Sequence, residues 1–479
     1  MRTLNLSLLA ISACATAQVV FQTTYDGPLG AYDAGHGVSQ TADGGFAVVG
    51  ITSGNNVFDG SLVRFNADGD TLWSHQYDLG YFEYLEDVFQ LPDGGFMLGG
   101  YAGYAGDNNG PLIIRTDASG DTLWTRHSTG ESGYDQGSGM CRTSAGGAAL
   151  TGEVKPGEDD DTDVVLRLFD AVGTEFANAV FGGPGDQQGR DIVQLPNGDF
   201  LIAGVSRASD SDSSQLMLVR TDASGAPVWT KLYGGSDDDR GNAVCPRNAG
   251  GFYVAGTTTD PITGDEDAWF LTLNEAGDTL GTMRFDNDSE GPGGTHPDSG
   301  TDVIECANGS VILLYNTTYD QGYRLNLMFT DNNVSPIYTF YIGEENQLAL
   351  GYGLTHLAND NIALAAVWDP DFGSGTPQDL LLAEIEASCS IVGMPDAHPD
   401  ALSIHCWPDP FEDRLTIVLP EDHGRASISI GDGMGRAIWN ADGISGTRAI
   451  WNGAQVASGL YFVTILVDGH RHTQRVVKL

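Results

Sequence analysis

Acidic side chains return at near-constant spacing through most of this chain: Asp33, Glu83, Asp135, Asp239 and Asp298 stand 50, 52, 104 and 59 residues apart. Glycine follows two places later at Gly35, Gly137, Gly241 and Gly300. It also follows Gln187 and Ala349, which take the acid's place in two repeats. Two chemistries suit such a column. Each carboxylate could accept a nearby backbone N–H in an Asx-type turn. Alternatively, several could gather round a hard cation such as Ca²⁺, which takes 6–8 oxygen ligands. The turn reading is preferred, because a position repeated in every unit usually serves the repeat.

A second candidate is local. Asp286-Asn287-Asp288-Ser289-Glu290-Gly291 copies the first six positions of a calcium loop, with Asp286, Asp288 and Glu290 at the ligand places. Its twelfth position is Pro297, where a bidentate Glu is expected, so the match is partial. The acidic run Glu158–Asp163 reads as a solvated hairpin loop. Catalytic signatures are thin. There is no H-E-x-x-H, no G-x-S-x-G and no glycine-rich phosphate loop. His36, His75, His127, His296 and His356 are scattered singly. Paired carboxylates suffice for glycoside hydrolysis, so a secreted polysaccharide hydrolase is the alternative to the expected non-catalytic role.

The elements that position these residues are short strands. Asp43-Gly44-Gly45-Phe46 recurs as Asp93-Gly94-Gly95-Phe96, Ala145-Gly146-Gly147-Ala148, Asn197-Gly198-Asp199-Phe200 and Ala249-Gly250-Gly251-Phe252, and more faintly at Asn308-Gly309 and Asn359-Asp360. The steps are 50, 52, 52, 52, 59 and 51 residues. Four strand-length segments fill each step, separated by Gly, Asp and Asn, which tolerate the positive φ of tight hairpins. One such unit cannot bury its own faces, so the period predicts an all-β, seven-bladed β-propeller over 18–390. The seventh unit lacks a fourth strand. Phe21–Asp26 matches Trp73–Asp78 position for position, so the N-terminal strand is expected to close the last blade beside Leu380–Ile385. The acid column would then ring one mouth of the central channel, on the face that carries the variable loops.

Gly69-Asp70-Thr71-Leu72-Trp73 and Gly120-Asp121-Thr122-Leu123-Trp124 resemble the D-x-x-G-x-x-x-W repeat of quinoprotein-type propellers. That resemblance implies tryptophans that dock neighbouring blades. It covers architecture only, since no cofactor pocket accompanies it.

The net charge of −43 excludes nucleic acid as a partner, because phosphate binding needs basic surface. After residue 390 there are ten Asp/Glu against seven Lys/Arg, so nearly all the excess lies earlier and two modules are implied. Residues 1–17 read as a secretory signal peptide, with the apolar run Leu6–Ala13 before Ala15-Thr16-Ala17. Ile11-Ser12-Ala13-Cys14 also resembles a lipoprotein box. No later segment is long enough to span a membrane as a helix. Cys141, Cys245, Cys306, Cys389 and Cys406 permit two disulfides at most, and none has metal-ligand spacing. Buried free thiols are expected.

Past a linker at 391–404, residues 405–479 alternate with period two between glycine turns, as a small Ig-like β-sandwich does. The motifs Pro408-Asp409-Pro410-Phe411, Gly431-Asp432-Gly433-Met434-Gly435-Arg436, Ser458-Gly459-Leu460-Tyr461-Phe462-Val463 and the tail ending in Lys478 closely resemble the type A C-terminal sorting domain of the type IX secretion system. The resemblance implies recognition by that secretion machinery and delivery to the cell surface or medium. The partner of the first module is then expected to be an extracellular glycan or protein.

Overall fold

The computed structural model describes residues 18–27, 32–54, 57–80, 82–104, 108–127, 135–155, 161–209, 212–285, 297–307, 309–319, 322–330, 336–343, 347–373, 377–386, 405–407, 414–418, 426–432, 437–444, 448–456, 459–467 and 470–478. It divides into two units, Ala17–Ser390 and a second containing Ile391–Leu479. Among the described residues every regular element is a strand.

In the larger unit the strands come in fours. Asp33–Gln40, Phe46–Gly54, Val57–Phe65 and Thr71–Tyr77 form an antiparallel meander. Four more follow over 82–127, 135–181, 186–233 and 239–285. The strands of 298–342 and 348–386 then share one sheet, its halves joined by a single parallel bridge from Tyr323 to Leu348. Gln18–Tyr25 supplies the last strand, antiparallel to Asp379–Glu386, with Phe21 opposite Glu384 and Tyr25 opposite Leu380.

Turn chemistry makes the units alike. Thr41 N donates to Gly45 O at 2.8 Å and Gly44 N donates to Thr41 O at 2.9 Å. The same two bonds close 91–95, 143–147, 195–199, 247–251, 306–310 and 357–361. The fourth residue of each turn has positive φ and is glycine in all but the last, where Asp360 takes φ 66°. Arg64 and Arg115 on third strands hold the turn acids Asp43 and Asp93, which explains the aspartate of the repeated motif. In the hairpins between third and fourth strands a side-chain oxygen of Asn66 accepts from Asp68 N and Asp70 N, and Asp117, Asp170, Asp222 and Asn274 do the same.

The first strands of successive units touch in a circuit that returns to its start. His36 Nδ1 lies 2.9 Å from Glu86 Oε2, and Met140 N donates to Asp87 at 2.7 Å. Gly139 backs onto Arg190 O, and Val244 N donates to Asp191 at 2.7 Å. Asn242 Nδ2 donates to Gly300 O, Leu354 N donates to Asp302, and the Tyr352 ring lies 4.6 Å from His36. A second set of bonds runs along the turns: Ala42 N to Gln90, Ser144 N to Gln194, Asn248 N to Glu305 and Ala358 N to Gln40. Where the turn residue is Pro92 or Pro196 there is no N–H to satisfy, and the position that would accept it is Arg142 or Pro246. Sheets set face to face around a common axis in this way are a β-propeller.

Outer strands lock the sheets together. The Trp73 ring covers Gly120 of the next unit and meets Phe96 edge-on at 6.0 Å. Trp124 covers Gly173, Trp229 covers Gly277, and Phe21 covers Gly69 while packing on Phe46 at 5.5 Å. Glycine on second strands answers a different need. A methyl group at Gly204 would stand 1.9 Å from Gln188 O, just before the bulge of the first strand, and Gly50, Gly100 and Gly256 face equivalent carbonyls. Gly204→Ala is therefore expected to destabilise the larger unit by about 1–3 kcal/mol through overpacking, read as a lower urea midpoint with an unchanged slope.

The smaller unit pairs His405–Trp407, Arg414–Val418 and Arg448–Asn452 in one sheet and the strands of 426–432, 437–444, 459–467 and 470–478 in another. Leu415, Ile417, Ile428, Ile430, Val463 and Ile465 share its core with Trp451 and Tyr461. Cys141 and Cys245 are free thiols, and burial raises both, Cys245 to about 12. Cys306 departs from the expected free thiol, for it is disulfide-bonded.

Candidate functional site

The acid column sits at the head of each first strand, where the connection from the preceding unit arrives. Asp33, Glu83, Asp239 and Asp298 are 1%, 1%, 2% and 1% exposed, so they do not offer open carboxylates to a channel mouth. Three are spent on the arriving loop: Gly27 N donates to Asp33 at 2.8 Å, Leu79 N to Glu83 at 3.1 Å and Gly235 N to Asp239 at 2.7 Å. Gln187, the exception in sequence, does the same for Gly183 N. Asp298 is held by the Thr317 hydroxyl. The cause is the connection itself, whose amides have no ladder partner and would be orphaned on burial. The Asp135 side chain and the loop carrying Asp286, Asp288 and Glu290 lie outside the described residues.

Variation between units gathers on this face, opposite the uniform turns. One sector is aromatic. Tyr84 and Tyr101 stack in parallel at 4.9 Å, Phe82 meets both edge-on, and Phe58 bridges Tyr84 and Tyr32. Tyr323 and Phe372 form a neighbouring edge-to-face pair at 5.7 Å. Burial raises the phenols of Tyr32 and Tyr84. The equivalent positions in the third to fifth units carry no aromatic ring, and all but Val205 are polar. Glu153 stands where Tyr101 does, and Gln188 and Arg240 stand where Tyr84 does. There Arg240 pairs with Glu266 at 2.8 Å, Arg190 contacts Asn242, and burial raises the Glu153 carboxyl.

Sequence reasoning passed over three acids deeper in the circuit. The residue after each first-strand bulge is Gly37, Asp87, Gly139, Asp191, Ala243, Asp302 and Gly353 in order, so acid and small residue alternate. Each Asp accepts an amide of the next unit, and Asp191 and Asp302 also accept their own following amides at 2.7 Å. Burial raises all three, Asp191 to about 6 and Asp302 to about 7, and their mutual repulsion adds to Asp87 and Asp302. The alternation was visible in the chain, but only to an alignment that ran past the turns.

In the smaller unit Tyr461 is buried against Trp451 at 5.5 Å, and Lys478 is buried at the end of a strand whose register sets it opposite Gly459. Gly431 lies on the strand Ala426–Asp432. Pro408, Pro410, Phe411 and Gly435 lie outside the described residues.

A family model described as Secretion system C-terminal sorting domain matches residues 405–479. No curated protein matches the chain. Among solved structures, the chain is similar to the β-propeller domain of the Trilobed protease from Pyrococcus furiosus, at 8% identity and TM-score 0.44 over 74% of this chain and 94% of that one. Sqt1 from Chaetomium thermophilum gives 10% and 0.45 over 79% and 100%. An ACO/RPE65 chimera gives 13% and 0.39 over 65% and 72%. Likeness at that level carries no argument by itself, and the propeller assignment rests on the strand pairing. The sorting domain implies export by type IX secretion, to the cell surface or beyond. No helix among the described residues is long and apolar enough to cross a membrane.

Proposed function

We propose that residues 18–390 form a seven-bladed propeller, closed by the N-terminal strand, that binds a partner outside the cell without catalysis through its acidic loop face. Seven equivalent turns and the returning circuit of first strands support the blade count. The two sheets around one core in residues 405–479 support an Ig-like sandwich that serves as the export signal. One observation carries the binding reading: the loop face is divided into an aromatic and a polar sector, while the turn face repeats itself. Packing demands the regular face, and nothing in packing demands the irregular one. Aromatic rings beside carboxylates suit a glycan, whose C–H faces lie on rings and whose hydroxyls bond to acids. In sequence, the partial calcium loop with Asp286, Asp288 and Glu290 lies between the strands Thr279–Phe285 and Asp298–Glu305.

A glycan array run beside a hydrolysis screen tests the reading. Retention that falls about tenfold or more in Tyr84→Ala, with no product released, is the expected outcome. Product release that stops on replacing one acid pair would establish the hydrolase instead. Export is tested separately: deleting 405–479 is expected to leave the chain in the periplasm, and its appearance in the medium at unchanged yield would refute the sorting role.

A further inference from the structure

With 65 Asp and Glu for 22 Lys and Arg, a cation in this chain has acids on every side to pair with. Arg324 pairs with none. Its guanidinium carbon lies between two phenol rings, 4.8 Å from the centroid of Tyr319 and 4.6 Å from that of Tyr341. Nε is buried without a hydrogen-bond partner, and among the described residues the guanidinium forms neither a hydrogen bond nor an ion pair. Asp298 acts on the same Tyr315 phenol as Arg324 does, yet its carboxylate is held by the Thr317 hydroxyl and not by the guanidinium.

The surroundings have lost their acids as well. Leu325 stands opposite Ile342 as Gly60 stands opposite Tyr77, so Arg324 takes the place that Asp59 has in the first unit. Gly343 and Ala349 take the places of Asp78 and Glu83. Every other junction between units keeps an acid in at least one of these places: Asp59, Asp135, Asp163, Asp239, Asp267 or Asp379. Here all of them are gone and a cation stands instead. Tyr323, the preceding residue, belongs to the aromatic sector through Phe372. The charge is therefore reversed at the edge of that sector.

Rings on both faces of a guanidinium leave its N–H groups to point outward in the plane, a fork that matches two oxygens of one anionic group. Tyr341 is 50% exposed, so an acceptor can approach from solvent. Packing between two rings asks for a flat filler, and a half-buried charge left unanswered is a cost that packing does not explain. We propose that Arg324, clamped by Tyr319 and Tyr341, receives the carboxylate or sulfate of an acidic sugar in the bound glycan. A densely charged polyanion would still meet the excess negative charge of the chain, so the acidic groups are isolated ones on an otherwise neutral glycan. The ligand class rests on the glycan reading above, while the anion site rests on Arg324.

The test titrates the full chain at low salt with methyl glucuronide, a glucoside sulfate, neutral methyl glucoside and acetate, followed by ligand-observed NMR. At least one charged sugar should bind about tenfold more tightly than the neutral one, and the tighter of the two names the group. Arg324→Gln should remove the preference while Tm falls by no more than about 4 °C, since only two ring contacts at a partly exposed site are lost. Arg324→Lys keeps the charge without the fork, so a preference of about threefold should remain. Equal binding of charged and neutral sugars, or a preference that survives Arg324→Gln, overturns the proposal and leaves the glycan reading standing. Acetate bound through Arg324 with no sugar retained overturns the glycan reading and keeps the anion site. Binding of no probe at all overturns both.

Discussion

Deleting residues 18–27 is expected to abolish cooperative unfolding of the larger unit and to make the chain self-associate. The deleted strand covers Leu380 and Leu382, which are 1% and 0% exposed, and it supplies Phe21 to the pocket formed by Gly69 and Phe46. It also carries Tyr25, whose hydroxyl donates to Ser74 Oγ at 2.8 Å across the seam. Uncovering two leucines and losing one phenylalanine contact removes roughly 1.5–3 kcal/mol for each large side chain. Together these approach the whole margin of about 5–15 kcal/mol that a folded domain has. The strand Asp379–Glu386 would become an open edge with a row of unpaired amides, which templates association. Size-exclusion chromatography and a urea melt read both effects. A peptide of residues 18–27 added in excess should pair with the open edge and restore part of the transition. A truncated chain that elutes as the parent does, with an unchanged midpoint, would show that the ring does not need this strand.

That pairing was legible because the units are copies. Phe21–Asp26 could be laid on Trp73–Asp78, and a unit short of one strand must find it somewhere. The turn glycines were legible for the same reason, since φ at Gly44 and its equivalents leaves few other residues. Side-chain destinations were not. A column such as Asp33, Glu83 and Asp239 looks alike whether it faces a channel or an arriving loop, and only the backbone amides of Gly27, Leu79 and Gly235 decide between them. The aromatic sector was hidden for a related reason. Tyr32, Phe58, Tyr84 and Tyr101 come from two units, three strands and a connecting segment, so no local window contains them, and the repeat itself draws attention to what is shared.

The alternation of Asp87, Asp191 and Asp302 with small residues leads to the other large expected effect, a stability optimum on the acid side of neutrality. All three have carboxyls raised by burial, Asp191 to about 6 and Asp302 to about 7. A raised carboxyl binds its proton more tightly in the folded chain than in the unfolded one. Its contribution is therefore complete below about pH 4, near the unfolded value, and is lost as pH rises through 6 to 7. Asp43 and Asp238, with Asp260 at about 2, are held low by hydrogen bonds and arginines, so their contribution is present above about pH 4 and lost as pH falls below it. The two sets leave a maximum near pH 4, and the growing negative charge of the whole chain steepens the alkaline side. At about 1.4 kcal/mol per unit, discounted because the side chains are only half-buried, ionisation between pH 5 and pH 8 costs about 1 kcal/mol at Asp191 and about 2 kcal/mol at Asp302, and Asp87 acts in the same direction. The triple variant Asp87→Asn, Asp191→Asn, Asp302→Asn keeps one acceptor oxygen at each junction and removes the titration. It should be less stable than the parent at pH 5, where amides such as Val303 N and Leu354 N compete for that single oxygen. At pH 8 the gap should close or reverse. Melting both chains across this range decides the matter: an alkaline limb of equal slope in parent and variant would mean that the three carboxylates are ionised at little cost, and that the alternating pattern serves geometry alone.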